Sequence, residues 1–334
     1  MNGARDAGGA RDVGGSSAPL AQDARALRRL AAKCRVKLET RKPLSELTSF
    51  RTGGPAAFFA QPADPEELAA ALDFAGSEGL PVFVLGGGTN VLFDDLGFDG
   101  LMIRLSGGFR KAAYLDGEDG GRGATRVRAG AAASLAEVAD MARAASRSGW
   151  ARLRGIPGTV GGALVMNAGT GADSAGELFL EAGVLDRGAL RLVGAQEADF
   201  RYRRSALGGL GVVMGAEFSL GPAALENDLR EIEREAMEAR RKRLPPGPSA
   251  GSVFRNPNGL NAGRLIEECA LKGMRVGGAV ISDRHANVIV NAGGATSSEI
   301  RALAAKARLE VMRRRGVELV PEILMLDRRG EAYP

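Results

Sequence analysis

The sequence is poorest in the residues that bind metals and build disulfides. Its 334 residues include one histidine, His285, and two cysteines, Cys34 and Cys269. The cysteines are far apart and form no CxxC pair, so no zinc or iron–sulfur constellation can be assembled from them. Two cysteines supply no disulfide framework, and a reducing cytoplasm is the expected compartment. No stretch approaches the ~18 apolar residues of a membrane span, and the N-terminus lacks the uninterrupted apolar segment of a secretory signal. No membrane partner is expected. An excess of charge is also missing where it would count. The formal net charge is +5, but residues 1–35 hold seven basic against three acidic residues, leaving 38 against 37 in the body. A broad basic face for nucleic acid is therefore not expected, and an anionic ligand must be met by a local site.

What is present is a globular mixture, 45% apolar and 25% charged, in a chain long enough for two or three compact domains. Residues 1–35 begin with a run rich in Gly, Ala, Arg and Asp that cannot bury enough apolar surface to order itself, and they read as a disordered tail. Within it, Ala24–Cys34 has the makings of a short helix. Three α+β units follow, at 36–105, 106–221 and 222–334. In the first, Phe58–Ala60 is a strand, Asp64 an N-cap and Pro65 the first residue of a helix reaching about Glu78. Pro81–Leu85 reads as a buried strand and Leu101–Leu105 as another. In the second, Gly117–Gly123 is the tip of a hairpin between Ala112–Leu115 and Thr125–Ala129. Ser134 caps a helix running to about Ser148, and strands recur near Val184–Asp186, Arg191–Val193 and Val212–Leu220. In the third, Asp228–Arg243 is an amphipathic helix with Leu229, Ile232 and Ala236 on one face, stopped by Pro245, Pro246 and Pro248. Helices near Ala262–Ala270 and Ser297–Arg315 and strands near Val288–Asn291 and Glu322–Leu326 complete it. No internal repeat is visible.

Two glycine-rich segments stand out. Leu85-Gly86-Gly87-Gly88-Thr89-Asn90 follows a strand, yet Val91 stands where a Rossmann fingerprint needs glycine, and the Gly-Lys-Ser/Thr of a P-loop is absent. A tight turn explains three glycines equally well. The second segment, Gly155-Ile156-Pro157-Gly158-Thr159-Val160-Gly161-Gly162, changes the balance, because exposed N–H groups in both loops can form an anion nest. Together they suggest a diphosphate held between two units.

The ordered set of motifs carries a resemblance. Thr52-Gly53-Gly54-Pro55, LGGGTNVL (85–92), GIPGTVGGALVMN (155–167), Tyr202-Arg203-Arg204-Ser205, SAGSVFRNP (249–257), AGRLIEECALKG (262–273), RHANVIVN (284–291) and Pro321-Glu322 occur in that order. The series resembles the UDP-N-acetylenolpyruvoylglucosamine reductases, over about residues 45–326. The resemblance implies an α+β fold: a two-subdomain FAD-binding region of the vanillyl-alcohol-oxidase type, followed by a C-terminal substrate domain. It implies FAD and NADPH as cofactors and UDP-N-acetylglucosamine-enolpyruvate as the small-molecule substrate, with no obligate protein partner inferred. NADPH reduces FAD and leaves; the reduced flavin then delivers hydride to the enolpyruvyl CH2 carbon, and one proton completes the lactyl ether.

Residue roles follow by position. Gly86, Gly87, Gly88, Thr89 and Asn90, with Gly155, Ile156, Pro157, Gly158, Thr159, Gly161, Gly162 and Asn167, are implied cofactor contacts. Ser252 is the implied proton donor, with Arg203 holding the substrate carboxylate and Glu322 assisting if it is protonated or orients Ser252 or a water. A serine hydroxyl alone is a poor acid, so such partners are needed. Tyr202, Arg243, Asn256 and His285 are implied substrate contacts. Taken without the resemblance, Ser252 is a cap or turn serine, Arg203 and Glu322 are surface charges, and Arg240–Arg243 is a solvated helix end. A Ser252–His285 hydrolase pair lacks the GxSxG elbow. The chain departs from the family at Arg154, where a small residue is usual, and at Thr170-Gly171-Ala172, where an Ala-Tyr-Gly step is usual. The absence of a long insertion between Tyr202 and Ser249 resembles the shorter family form, which lacks the tyrosine-bearing substrate loop. Two alternatives remain: an FAD-dependent oxidase of the same fold acting on a sugar or lactone, and a flavin- or nucleotide-binding protein without chemistry.

Overall fold

The computed structural model describes residues 24–32, 34–117, 121–170 and 173–333. Most of the expected N-terminal tail, the hairpin tip at 118–120 and part of the departing loop at 171–172 lie outside the described residues. The described chain opens with α1 (Ala24–Ala31), whose Leu27 is buried beside Phe58 and Leu68. A four-stranded sheet follows. It is built from β1 (Leu38–Pro43), β2 (Pro55–Ala60), β3 (Val82–Val84) and β5 (Phe98–Ile103) in the order β1-β2-β5-β3, while β4 (Val91–Phe93) lies apart. Helix α2 (Pro65–Ser77) starts as its sequence dictates: the Asp64 carboxylate accepts from Glu67 N at 2.8 Å, and Pro65 occupies the first turn. The expectation of a buried strand at Pro81–Leu85 is corrected. β3 is the sheet's edge, and Val82 and Val84 are exposed. An edge position depends on strand order, which a local run of apolar residues does not encode.

The second sheet contains β6 (Ala112–Tyr114), β7 (Arg126–Gly130), β8 (Phe179–Asp186), β9 (Ala189–Gly194) and β10 (Val212–Ser219), all antiparallel, in the order β6-β7-β10-β8-β9. Helices α3 (Leu135–Ala144), α4 (Val160–Val165), α5 (Ala175–Leu178), α6 (Ala195–Ala198) and α7 (Leu207–Leu210) are interleaved with it. Ser134 caps α3 through Glu137 N, but the helix ends at Ala144, short of Ser148, because Ser146 takes φ +57. Trp150 is fully buried, edge-on to Phe218 at 5.0 Å, and its Nε1 donates to Ser219 O at 3.0 Å. One apolar cluster runs from Leu27 to Leu220, so the two sheets share a core.

Helix α8 (Glu226–Arg243) leads into the C-terminal part, which contains α9 (Ala262–Glu268), a small sheet of β11 (Arg275–Val276), β12 (Ala279–Ile281) and β13 (Ile289–Asn291), α10 (Ser297–Arg315) and β14 (Leu324–Leu326). The apolar face expected on α8 is only partly realised: its buried residues are Leu229 and a carboxylate, Glu233. The last strand does not join the small C-terminal sheet. β14 pairs in parallel with β4, Leu324 opposite Val91 and Leu326 opposite Phe93, returning the chain end to the first unit. Among the described residues no helix is long and apolar enough to cross a membrane, and no group of three metal-binding side chains exists.

Candidate active site

The two glycine-rich loops meet. A Cβ on Gly86 would lie 2.6 Å from Thr159 Oγ1, and one on Gly87 would lie 3.1 Å from Gly158 Cα. A side chain at Gly86 would press on the Thr159 hydroxyl, and one at Gly87 would crowd the Gly158 backbone. Thr89 Oγ1 donates across the junction to Pro157 O at 3.4 Å, and Thr159 caps α4 by accepting from Gly162 N. Gly88 is fixed for a second reason. It has φ +66, and a Cβ there would collide with Leu47 O at 1.9 Å.

Just beyond the other end of α4, Arg203 and Glu322, distant in sequence, are brought together, and the backbone of the Ser252 segment runs beside Glu322. Arg203 Nε lies 2.9 Å from Glu322 Oε1, with both side chains about four-fifths buried (21% and 17% exposed). The Nε–H is not aligned on a carboxylate oxygen, so the contact is an ion pair more than a hydrogen bond. Arg203 Nη2 donates to Gly169 O at 2.9 Å. Burial pushes the Glu322 carboxyl above its ordinary range, against the opposing pull of Arg203, Arg255 and Arg243. The strand of Ser252 is laced to Glu322 through backbone: Glu322 N donates to Val253 O at 2.8 Å, and Arg255 N to Val320 O at 2.9 Å. On its other side Ser252 bridges Val288. Buried Asn287 clasps Phe254 twice, accepting from Phe254 N at 2.9 Å and donating to Phe254 O at 2.7 Å. Asn90 joins the two ends of the site, since its Nδ2 donates to Glu322 O at 3.1 Å and its carbonyl accepts from Leu324 N at 3.0 Å.

Residues 242–326 match the C-terminal domain of UDP-N-acetylenolpyruvoylglucosamine reductase, and residues 56–182 match an FAD binding domain. Curated reductases of that name are similar along most of their length. The protein of Rubrobacter xylanophilus is 41% identical over 284 residues, 84% of this chain and 93% of the relative, and that of a Synechococcus strain 39% over 298 residues, 86% and 93%. A crystal structure of the Thermus caldophilus reductase superposes with a TM-score of 0.73 at 32% identity, covering 87% of this chain and 99% of that one. The chain belongs to the UDP-N-acetylenolpyruvoylglucosamine reductase family. It is an FAD-binding oxidoreductase, with the α+β fold that its motifs imply.

The glycine loops fit the cofactor of this family. Among the described residues the N–H groups of Gly86, Gly87 and Gly158 donate to no protein acceptor, which suits a nest for a diphosphate. Other expected residues are placed more specifically. Tyr202 is exposed, with the Arg203 guanidinium 5.2 Å from its ring centroid. Arg243 ends α8, and its charge reaches both Glu322 and His285. Arg284 fastens this end of the helix by donating to Arg241 O at 3.2 Å and Leu244 O at 3.1 Å. His285 packs on the start of α9, and its Nδ1 accepts from Asn287 N at 3.2 Å. Burial, aided by Arg243, holds its pKa below the ordinary value, so it is neutral at physiological pH. Its hydrogen bonds run to Ser282 and Asn287 and not to Ser252, which leaves the hydrolase pair without geometry. Asn256 Oδ1 accepts from Ala262 N at 3.0 Å, at the head of α9.

Two residues differ from a simple ligand role. Arg154, the unusual cation before the second loop, is held by Asp140 at 2.7 Å and Glu233 at 3.0 Å, on α3 and α8. Asn167 is buried, and protein groups engage both ends of its amide. Motif reading also missed Asn287 and Arg255. The RHAN run holds the first, but its pair of hydrogen bonds to Phe254 depends on a fold contact 33 residues away.

Proposed function

We propose that this chain reduces UDP-N-acetylglucosamine-enolpyruvate to UDP-N-acetylmuramate, a peptidoglycan precursor, with NADPH as the reductant. The observation that carries this reading is the buried Arg203–Glu322 pair, tied by backbone to the Ser252 strand. The glycine loops at 86–90 and 155–162 would hold FAD, which, when bound, supplies to the enolpyruvyl CH2 carbon a hydride taken from NADPH. The protein's own groups answer the charge that develops at the neighbouring carbon and its carboxylate. Arg203 pairs with Glu322 by charge and gives one Nη2–H to Gly169 O, leaving Nη1 to take the substrate carboxylate. Ser252 Oγ donates the proton to the carbanionic carbon. A serine hydroxyl can do this only to a strongly basic centre, so Arg203 must hold charge on the carboxylate without quenching the carbon.

Glu322 assists either in its neutral form, because an ionised carboxylate would repel the developing anion, or by orienting Ser252 or a water. Burial raises its pKa, while Arg203, Arg255 and Arg243 oppose that rise. Tyr202, Arg243, Asn256 and His285 are the proposed substrate contacts, with Arg243 meeting the diphosphate. Between Tyr202 and Ser249 the chain holds α7, β10 and α8 and no inserted substrate loop, in keeping with the shorter family form. The test is Ser252→Ala. The variant is expected to keep FAD and to oxidise NADPH in the first half-reaction, while turnover of the enolpyruvyl sugar falls by about 100-fold or more. Unchanged turnover would remove Ser252 from the chemistry.

A further inference from the structure

Arg203 stands in a conformation that its own residue type does not favour. Its φ is +58, in the left-handed region, where a non-glycine residue is strained and persists only if its surroundings impose it. The turn that carries it, Arg201–Arg204, is closed by Arg201 N donating to Arg204 O at 2.9 Å and by Arg204 N donating to Arg201 O at 3.2 Å. That turn is strapped to the C-terminal end of α4 at three points, one of them the backbone bond from Ser205 N to Val165 O at 3.1 Å. Asn167 Nδ2 donates to Arg201 O at 2.9 Å, and Ser205 Oγ donates to Leu164 O at 2.8 Å. The Asn167 carbonyl is engaged too, accepting from Gly176 N at 3.0 Å. Asn167 itself has φ +41, a value asparagine tolerates better than most residues, and it is only 8% exposed. Phe200 and Asn167 Oδ1 leave no room for a Cβ at position 176, at 2.6 and 2.9 Å.

We infer that Asn167 is a positioning residue, which registers Arg203 against α4 through the Arg201 carbonyl. The other end of α4 begins at Thr159, in the loop that meets Gly86. One short helix therefore sets the spacing between the proposed cofactor cradle and the cation that takes the substrate carboxylate, and Asn167 transmits that spacing. This rests on the proposed reaction for its consequence in turnover, but the strap itself is a statement about the fold.

Asn167→Asp tests it in the FAD-loaded protein. The substitution keeps the acceptor that Gly176 N needs and removes the donor to Arg201 O. Amide hydrogen exchange across residues 201–205 is expected to quicken about tenfold, with exchange in α4 unchanged. The half-reaction with UDP-N-acetylglucosamine-enolpyruvate should slow about tenfold, while FAD affinity and flavin reduction by NADPH stay within about twofold. In an Arg203→Lys background the same change should add nothing further to that half-reaction, which a general structural defect would not reproduce. Unaltered exchange at 201–205 overturns the inference. So does weakened FAD binding with both half-reactions slowed alike, which would make Asn167 a cofactor contact. Should Asn167→Asp not fold, Ser205→Ala removes the hydroxyl bond to Leu164 O, keeps the Ser205 N–Val165 O bond, and is read by the same exchange and kinetics. Wild-type protein that fails to turn over the enolpyruvyl sugar would sink the proposed reaction instead, and the exchange result would then decide on the strap by itself.

Discussion

Toward the first sheet, the C-terminal part is joined by backbone and apolar surface; toward the second, it is joined by charge. On the first side β14 lies in parallel register on β4, and Leu92 and Phe50 sit in the same buried cluster as Phe254, Ile323 and Met325. The Asp95 carboxylate caps α10 by accepting from Ser297 N at 2.6 Å and Ser298 N at 2.8 Å, and Tyr333 donates to Asp94. On the second side, α8 is held over the loop at Arg154 by Glu233, whose side chain is 5% exposed, and the site is closed by Arg203 and Glu322. The first joint rests mainly on backbone pairing and apolar burial, with the Arg301–Asp94 and Arg328–Asp99 ion pairs added across it, so it depends less on pH and salt. A joint of partly buried ion pairs responds to both, and it is here that the proposed chemistry needs a group able to change protonation. The difference teaches that the reacting end of the molecule is placed where its stabilising contacts are electrostatic.

The largest expected effect comes from breaking the apolar joint. Leu92→Ala removes a side chain that is 2% exposed and should cost about 2–5 kcal/mol in denaturant unfolding. A loss below about 1 kcal/mol would mean that the β14–β4 joint is not the firm one. The charged joint should respond less, and asymmetrically. Arg154→Ala leaves the Glu233 carboxylate buried with only Arg143, at 3.5 Å, and should cost about 1–3 kcal/mol. Glu233→Ala should cost less, because Arg154 keeps Asp140 and Arg143 keeps Glu226. Equal losses would dismiss the buried carboxylate as the critical element. The subtlest effect is in the pH profile. Glu322 has a raised pKa, so its neutral form persists above the ordinary carboxylate range and is lost as pH rises through the folded-state value. Turnover of the enolpyruvyl sugar should therefore decline along that limb, and Glu322→Gln, which cannot ionise, should flatten it. A Glu322→Gln profile with the wild-type limb would assign that limb to another group.

Features set by neighbours in sequence were legible, and those set by distant packing were not. Asp64-Pro65 starts α2 where its side-chain chemistry requires, and Ser297–Arg315 is a helix capped by Thr296 and Glu299 within a single turn. The exposure of Val82 and Val84 depends on β3 being an edge, which follows from strand order alone. The burial of Glu233 has no local signal, since nothing on α8 announces the contacts with Arg143 and Arg154. Ser252, Arg203 and Glu322 carry no local signal of chemistry. The motif resemblance singled them out, and the fold then brought Arg203 to Glu322. Asn167, which its motif assigns to the cofactor, also makes hydrogen bonds to Arg201 and Gly176 that the motif does not announce.

The most direct test of the account is an anaerobic absorption titration of the FAD-loaded protein, first with NADPH and then with UDP-N-acetylglucosamine-enolpyruvate. Bleaching of the flavin by NADPH, and recovery of its colour when the enolpyruvyl sugar is added, is the predicted result. A flavin that bleaches and stays bleached in the presence of that sugar would contradict the proposed reaction.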